Sequence, residues 1–168
     1  MNKVLPVIAL LLVGTVLGGA GPTLGPVLLR TQPGTPLDAT ARTLVADDLA
    51  EARRAKDRPL LLVGQAQLGP ATDRPALFVQ LQSARECGSA GCSTAVFAWS
   101  GGAYTRVLDG LSGPVMTGPG RHRGMADLTT EHERYVWDGQ NYVDTRPAPA
   151  LNLRPRPHTA PHPITPRR

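Results

Sequence analysis

The most regular pattern along the chain is a stripe of apolar residues at helical spacing. Apolar residues recur every three or four positions with charged residues between them, and they are Leu37, Ala41, Leu44, Val45, Leu49 and Ala52. Thr35 and Pro36 supply a capping residue and a proline for the first turn, and Pro59 supplies a stop. The pattern predicts one amphipathic helix over residues 37–57.

Beyond Pro59 the spacing of apolar residues changes from helical to alternating. Alternating or short apolar runs predict strands, and these lie at 60–63, 77–81, 95–99, 103–109, 114–117, 133–137 and 141–144. Gly and Pro residues separate the runs. We therefore expect a single α+β domain over residues 37–144, in which the N-terminal helix packs on one face of an antiparallel β-meander.

Two stretches of the chain, 97–104 and 135–142, share the pattern aromatic-x-Trp-x-Gly-x-x-Tyr. A two-residue turn in each stretch places the two aromatic residues opposite one another, Trp99 with Tyr104 and Trp137 with Tyr142. A turn at residues 138–139 is the competing register for the second hairpin. The aromatic pairs have two interpretations: a platform for sugar or peptide, or packing within the core.

The N-terminus has the three parts of an export signal. Lys3 is followed by the apolar residues 4–17, and small residues at 18–20 match the positions that a signal peptidase reads. We expect residues 1–20 to be removed on export to the periplasm or the extracellular space, and residues 21–36, rich in Gly and Pro, to form a linker. A retained N-terminal membrane anchor is the alternative, although Pro and Gly residues interrupt the apolar run.

The two cysteines are consistent with export. Cys87 and Cys92 form an isolated close pair, which in an oxidising compartment is most simply a disulfide. Neither the spacing of a redox motif nor a set of further metal ligands accompanies them. The rigid loop that they close is a candidate binding surface, with the hairpin of Trp99 and Tyr104 next to it. The loop residues are Gly88, Ser89, Ala90 and Gly91.

The net charge of +5 is distributed unevenly along the chain. Basic and acidic side chains are equal in number within residues 21–146, whereas residues 147–168 hold four arginines, seven prolines and no acid. A neutral domain argues against a nucleic-acid-binding face. We expect residues 145–168 to form a disordered tail that either contacts an anionic envelope surface or has no partner.

One cluster of titratable residues lies outside the predicted helix. It contains His122, Asp127, Glu131 and His132. Such groups could hold zinc for a metal-dependent hydrolase, with His122, Asp127 and His132 as the candidate ligands, but their spacing matches no zinc signature. The sequence also lacks a nucleophile elbow, a phosphate loop and a dinucleotide fingerprint. We therefore assign no catalytic residue and expect no cofactor.

Two resemblances bear on function. The stretch from Phe78 to Trp99, a strand leading into the cysteine pair and then a second strand, resembles the loop region of the periplasmic inhibitor-of-vertebrate-lysozyme family. Members of that family insert a disulfide-closed loop into the lysozyme cleft, so the resemblance implies inhibition of a lysozyme. The chain is also similar to small exported bacterial proteins of unassigned function, through Cys87-Gly88, Gly124-x-x-Asp127-Leu128 and Trp137-x-Gly139-x-x-Tyr142.

Together these patterns predict an exported, non-catalytic binding protein of the periplasm or cell envelope. Its partner is expected to be an unknown protein or an envelope component. A periplasmic lysozyme inhibitor that uses the disulfide loop is one alternative, and a metal-dependent hydrolase is the other.

Overall fold

The computed structural model describes residues 24–70, 73–89 and 91–146. The strands in this part of the chain are β1 Gly25–Pro26, β2 Leu60–Ala66, β3 Ala76–Gln82, β4 Cys87–Gly88, β5 Gly91–Ser100, β6 Ala103–Ser112, β7 Met116–His122, β8 Met125–Thr129, β9 Arg134–Trp137 and β10 Tyr142–Asp144. The helices are α1 Pro36–Leu44 and α2 Ala46–Arg54. The expected signal at 1–20 and the Pro/Arg-rich segment 147–168 lie outside the described residues.

The strands form two antiparallel sheets. In the first sheet β3 lies between β2 and β5, and β5 also pairs with β4 and β6. The second sheet has the order β1-β7-β8-β9-β10. The sequence prediction of antiparallel pairing is confirmed. The chain passes from the first sheet to the second between β6 and β7, where Gly113 has a positive φ of 82° and Pro114 follows.

The first sheet is covered on both faces. Phe78 belongs to a core that lies between the two sheets, whereas its neighbours Leu77 and Val79 belong to a second core with Ala41 of α1 and with Val45. Successive side chains of a strand point to opposite faces, so β3 contributes to both cores. The layers are therefore helix, first sheet and second sheet.

The predicted fold class, α+β with one helix packed on a single meander, is wrong. Strands make up 48% of the described residues and helices 15%, in two short helices. The predicted helix is interrupted at Val45, where φ is −113° and ψ is 30°. In β3, residues 76–80 are all buried, and such a run marks a strand covered on both faces. Covering the second face takes another layer, which here is a second sheet.

The segment expected to form a linker contacts both sheets. Pro26 of β1 pairs with Met116 of β7, and the Val27 N–H donates to the Val115 carbonyl at 2.9 Å. Three residues later, Arg30 and Val63 of β2 exchange main-chain hydrogen bonds of 3.1 and 2.9 Å. These bonds hold an edge of the second sheet against the first. Among the described residues, no helix has the length and apolar character needed to cross a membrane.

Candidate functional site

The two tryptophans of the chain come together at one cleft. Trp99 lies near the end of β5 in the first sheet, and Trp137 ends β9 in the second. Both line a cavity of about 390 Å³, which we call the tryptophan cleft. The sequence predicts each hairpin separately, and the packing of the two sheets makes them neighbours.

The first hairpin owes its register to its turn. Trp99 pairs with Tyr104 across a two-residue turn at Gly101 and Gly102, as the sequence predicts. Both glycines have positive φ values, 59° and 89°, which is the geometry of a type I′ turn rather than the type II′ turn that Gly at the first position suggests. The two rings meet edge to face with centroids 5.0 Å apart, within the range that favours aromatic pairs.

The second hairpin has the same register, but its turn is stabilised differently, by the side chain of Asp138. Trp137 pairs with Tyr142, so the prediction of this register is confirmed and the turn at residues 138–139 is not formed. The Asp138 N–H donates to the Asn141 carbonyl at 3.0 Å, and the Asp138 carboxylate accepts from the Asn141 N–H at 2.8 Å and the Gln140 N–H at 2.7 Å. These backbone donors lower the pKa of the Asp138 carboxyl.

Tyrosine hydroxyls hold both hairpins in place around the cleft. The Tyr104 hydroxyl donates to the Pro75 carbonyl at 3.1 Å, which fixes the first hairpin against the chain that precedes β3. The Tyr142 hydroxyl donates to the Ala126 carbonyl of β8 at 2.7 Å. Burial raises the pKa of both phenols, so they remain donors at neutral pH.

The floor of the tryptophan cleft is apolar and buried. It is formed by Leu68, Gly69, Ala76, Ala98 and Val107. Gly69 lies close to two other lining residues: a Cβ placed there would lie 3.0 Å from the Asp73 carboxylate and 3.0 Å from the Met125 sulfur. A larger residue at position 69 would therefore displace the side chain of Asp73 or Met125 and change the shape of the cleft.

The rim of the tryptophan cleft is polar. It is formed by Asp73, Arg74, Ser100, Thr105 and Gln140, all of which are exposed. The Arg74 guanidinium lies over the Trp99 ring, 4.1 Å from its centroid, a distance at which a cation is attracted to the ring face. Within the described part of the chain, none of these five side chains makes a hydrogen bond or ion pair with another protein group.

The disulfide loop is confirmed as a covalent unit. The sulfurs of Cys87 and Cys92 are 2.02 Å apart, and the two residues pair across the short β4–β5 ladder. Gly88, Ser89 and Gly91 are exposed, and Gly91 has a positive φ of 97°. Ala90 lies outside the described residues.

The structure does not place the disulfide loop beside the Trp99 hairpin. Cys92 and Trp99 are near opposite ends of β5. At ~3.3 Å of rise per residue the intervening strand spans roughly 23 Å. The two parts of the expected binding surface therefore face different surroundings, and each has to be considered separately.

A second cavity, of about 400 Å³, lies towards the disulfide end of the first sheet. Its charged lining consists of Asp48, Glu51, Glu86, Asp109 and Arg106. The Arg106 guanidinium donates to Asp48 at 2.7 Å and to Asp109 at 3.1 Å. The cation and two of the four acids are thus already paired with one another.

The candidate metal ligands do not form a cluster. Asp127 already has two protein partners: its side chain is 3% exposed and hydrogen-bonds with His122 Nδ1 at 2.6 Å and with the Arg134 guanidinium at 2.8 Å. His132 is 83% exposed and lies 3.9 Å from Glu131. Among the described residues there is no group of three His, Cys, Asp or Glu side chains able to hold a metal ion.

The environment of Asp127 favours its ionised form. Burial alone would raise the pKa of this carboxyl, but the hydrogen bonds from Arg134 and His122 act in the opposite direction and hold the pKa below its usual value. The residue lies on β8 and its partners lie on β7 and β9. Its evident role is to link three strands of the second sheet.

Comparisons with protein-family models, curated proteins and solved structures found no match for this chain. The two resemblances drawn from the sequence therefore stay predictions. Support for a function has to come from the geometry of the described residues, among which the tryptophan cleft combines a buried apolar floor with a polar rim.

The sequence gives little indication of the rim of this cleft. Asp73 and Arg74 stand in a Gly- and Pro-containing stretch between strands, and Gln140 stands in a turn. Charged and amide residues are common at such positions for reasons of solubility alone. Only the aromatic-x-Trp-x-Gly-x-x-Tyr pattern pointed towards the site, and it did not show that the two copies meet.

Proposed function

We propose that this protein is an exported, non-catalytic binding protein whose ligand site is the tryptophan cleft. The observation that carries the proposal is the convergence of Trp99 and Trp137, from different sheets, on one cavity with a buried apolar floor. The polar side chains of its rim make no hydrogen bond or ion pair with another described residue. A concave site with apolar walls and a few polar groups is the usual form of a small-ligand pocket.

Export is supported by two independent features. The first 20 residues have the charge, apolar run and small residues of a signal peptide. The Cys87–Cys92 disulfide, at the surface of the domain, is a bond that persists in oxidising compartments and is rare in the cytosol.

Binding rather than catalysis is supported by the chemistry of the lining. Asp73 and Arg74 are the ionisable residues among the described lining residues, and that lining contains no His, Cys or Lys. A catalytic hydroxyl needs a general base within hydrogen-bonding reach. Ser100 and Thr105 make no side-chain hydrogen bond to another described residue.

The proposal is tested by affinity capture from an envelope extract, with the oxidised protein and a variant altered only at the rim. The double substitution Asp73→Asn and Arg74→Ala removes both charges of the rim, and both side chains are exposed, so the fold is expected to tolerate it. Material retained by the parent protein and lost by this variant would support the cleft. Equal retention by both proteins would contradict it.

A second function is favoured by a separate observation, the exposed hairpin closed by the disulfide. We propose, as the alternative, that this loop inserts into the active cleft of a lysozyme and inhibits it. A covalently closed loop loses little conformational freedom on binding, which favours affinity. Gly88 and Ser89 are exposed at its tip.

The alternative is tested by adding the oxidised protein to lysozymes of several classes and measuring cell-wall lysis. Inhibition that disappears on the double substitution Cys87→Ser and Cys92→Ser would support it. The Asp73→Asn and Arg74→Ala variant is the matched control and should inhibit as well as the parent. Unchanged lysis by every lysozyme class would rule the alternative out.

A further inference from the structure

The arrangement of the tryptophan cleft points to a class of ligand, and this inference rests on the function proposed above. We infer that the cleft binds an uncharged saccharide, one or two sugar units of a glycan, with the sugar ring against indole and its hydroxyls bonded to the rim. Three properties of the cleft support this assignment: its walls, its rim and its charge.

The walls present apolar surfaces that fit a sugar ring. A pyranose exposes faces made of C–H groups, which stack on aromatic rings, while its hydroxyls project around its edge. Trp99 and Trp137 are both partly exposed and both line the cavity. The volume of about 390 Å³ falls within the range of ordinary small-ligand sites and admits a ligand of this size.

The rim offers both hydrogen-bond donors and acceptors. Arg74 can only donate, Asp73 as a carboxylate can only accept, and the amide of Gln140 does both. Ser100 and Thr105 add hydroxyls. A sugar hydroxyl both donates and accepts, so it can use every one of these groups. An apolar ligand of the same size would leave the rim groups without partners, at a cost in affinity.

The contact with the Trp99 ring positions Arg74 at the rim, and it leaves the guanidinium free of an ion pair with any described carboxylate. The guanidinium lies 4.1 Å from the Trp99 ring centroid and has no carboxylate partner among the described residues. An arginine positioned in this way keeps its N–H donors available for a ligand oxygen.

The charge of the cleft favours a neutral ligand. Asp73 and Arg74 are adjacent in sequence, both belong to the lining, and their charges are opposite. A phosphorylated or otherwise anionic ligand would meet a carboxylate as well as a guanidinium in the same lining, which reduces the electrostatic gain.

A peptide ligand fits the cleft less well. Recognition of an extended peptide commonly uses an unpaired strand edge. Of the strands that contribute to the lining, β3, β5, β8 and β9 are each paired on both sides, whereas β6, which contributes Thr105 and Val107, pairs with β5 alone. Most of the lining therefore presents side chains, which suits recognition of hydroxyl groups better than recognition of main-chain amides.

The chain carries its own reporter for the experiment, because its only two tryptophans both line the cleft. The oxidised protein is titrated with three uncharged trisaccharides, N,N′,N″-triacetylchitotriose, cellotriose and maltotriose, and tryptophan emission is recorded. We expect a saturable change with at least one trisaccharide. Arg74→Ala and Gln140→Ala should each weaken binding about tenfold, since one hydrogen bond to a charged or polar group is at stake.

Matched controls separate binding at the cleft from other effects. Arg53→Ala removes an exposed arginine of α2, remote from the lining residues, and should leave the affinity unchanged. Sedimentation with insoluble peptidoglycan distinguishes a wall glycan from a free oligosaccharide as the source of the sugar. A trisaccharide that binds the Arg74→Ala and Gln140→Ala variants as tightly as it binds the parent protein would overturn the assignment to this cleft.

Two further outcomes distinguish this inference from the proposed function. If no trisaccharide changes the emission and a broad glycan array shows no binding, the saccharide inference is wrong, while capture that depends on Asp73 and Arg74 would still support a ligand site. Saturable binding of a synthetic peptide of the Pro/Arg-rich segment 147–168, in place of any sugar, would likewise overturn the saccharide inference and keep the cleft as a ligand site. Failure of the capture experiment as well would end both proposals.

Discussion

Asp127 illustrates how one buried charge organises several strands. Its carboxylate hydrogen-bonds with His122 of β7 and with Arg134 of β9, and Gly120 of β7 leaves room for it. The two partners are themselves half-exposed, at 45% and 48%, so solvent screens the pairs and their contribution is smaller than for a fully buried ion pair. Of the candidate metal ligands, His122 and Asp127 therefore belong to a structural hydrogen-bond network with Arg134.

Replacing Asp127 by Asn should lower stability in a pH-dependent way. The folded pKa of Asp127 lies below its ordinary value of 3.8, so its contribution is fully present above that value and is lost as the pH falls through the lower folded pKa. We expect a loss of about 1–3 kcal/mol near neutral pH and a smaller loss in strong acid. Urea denaturation at both pH values, with Asp47→Asn on the exposed surface of α2 as control, measures the difference. An equal loss at both pH values would contradict the ionic explanation.

Gly120 and Gly118 offer a matched pair of substitutions on β7. A Cβ at Gly120 would overlap the Asp127 carboxylate, whereas a Cβ at Gly118 would come no closer than 3.7 Å to another residue. We expect Gly120→Ala to cost about 1–3 kcal/mol of stability and Gly118→Ala to have little effect. Thermal unfolding of the two variants gives the comparison, and equal stabilities would show that Asp127 relaxes without cost.

Local features of this chain were predictable to the extent that they depend on neighbours in sequence. The register of both aromatic hairpins and the cysteine pairing follow from short-range geometry, because a turn of fixed length leaves few alternative pairings. The rim residues Asp73, Arg74 and Gln140 were not predicted. Nothing within a few residues of any of them distinguishes a binding residue from a solvated loop residue.

At the scale of elements, strand β5 runs from the disulfide loop to the tryptophan cleft. One of its ends is tied by the disulfide to β4, and the other carries Trp99 into the tryptophan cleft. Its pairing with β6 shifts register near Val96, a bulge of the kind that bends a strand and increases its twist. The disulfide loop and the cleft therefore lie on the same strand but are separate in space.

Removing the disulfide tests this separation. The double substitution Cys87→Ser and Cys92→Ser should lower stability by about 2–3 kcal/mol, because the closed loop is short. Tryptophan emission of the folded variant should match that of the parent, since both tryptophans lie away from the loop. The measurements are urea denaturation and emission spectra, and a shifted native spectrum would show that the loop and the cleft are not independent.

The helices show the limit of predicting elements from periodicity. The apolar stripe correctly located helical residues but predicted one uninterrupted helix, whereas the chain breaks at Val45, which is buried in the core beneath the first sheet. Periodicity records which residues face a core. It does not record the local break at Val45 that divides the stripe between two short helices.

At the scale of the whole molecule, the net positive charge does not come from residues 21–146, which include both sheets. Residues 21–146 carry equal numbers of basic and acidic side chains, and the excess within the last 22 residues comes from four arginines. Any attraction to an anionic surface is therefore expected from residues 147–168 and not from residues 21–146.

Deleting residues 147–168 should abolish salt-sensitive retention on vesicles that contain anionic lipid. We attribute the retention to the attraction between these four arginines and the anionic lipid. Replacing only the four arginines by serine should therefore have the same effect as the deletion. Co-sedimentation at low and high salt measures retention. Retention that survives either change would show that another part of the chain binds the surface.

The sequence by itself determined the features that depend on local chemistry: a signal-like N-terminus, a close cysteine pair, antiparallel strands and two Trp–Tyr hairpins with their register. The tertiary structure decided how the strands divide into two sheets, where the disulfide loop lies, and which residues surround the tryptophans. An alternating apolar pattern indicates that one face of a strand is buried, but it does not indicate which element covers that face. Because Trp99 and Trp137 belong to different sheets, only the packing of one sheet on the other could bring them to a single cleft.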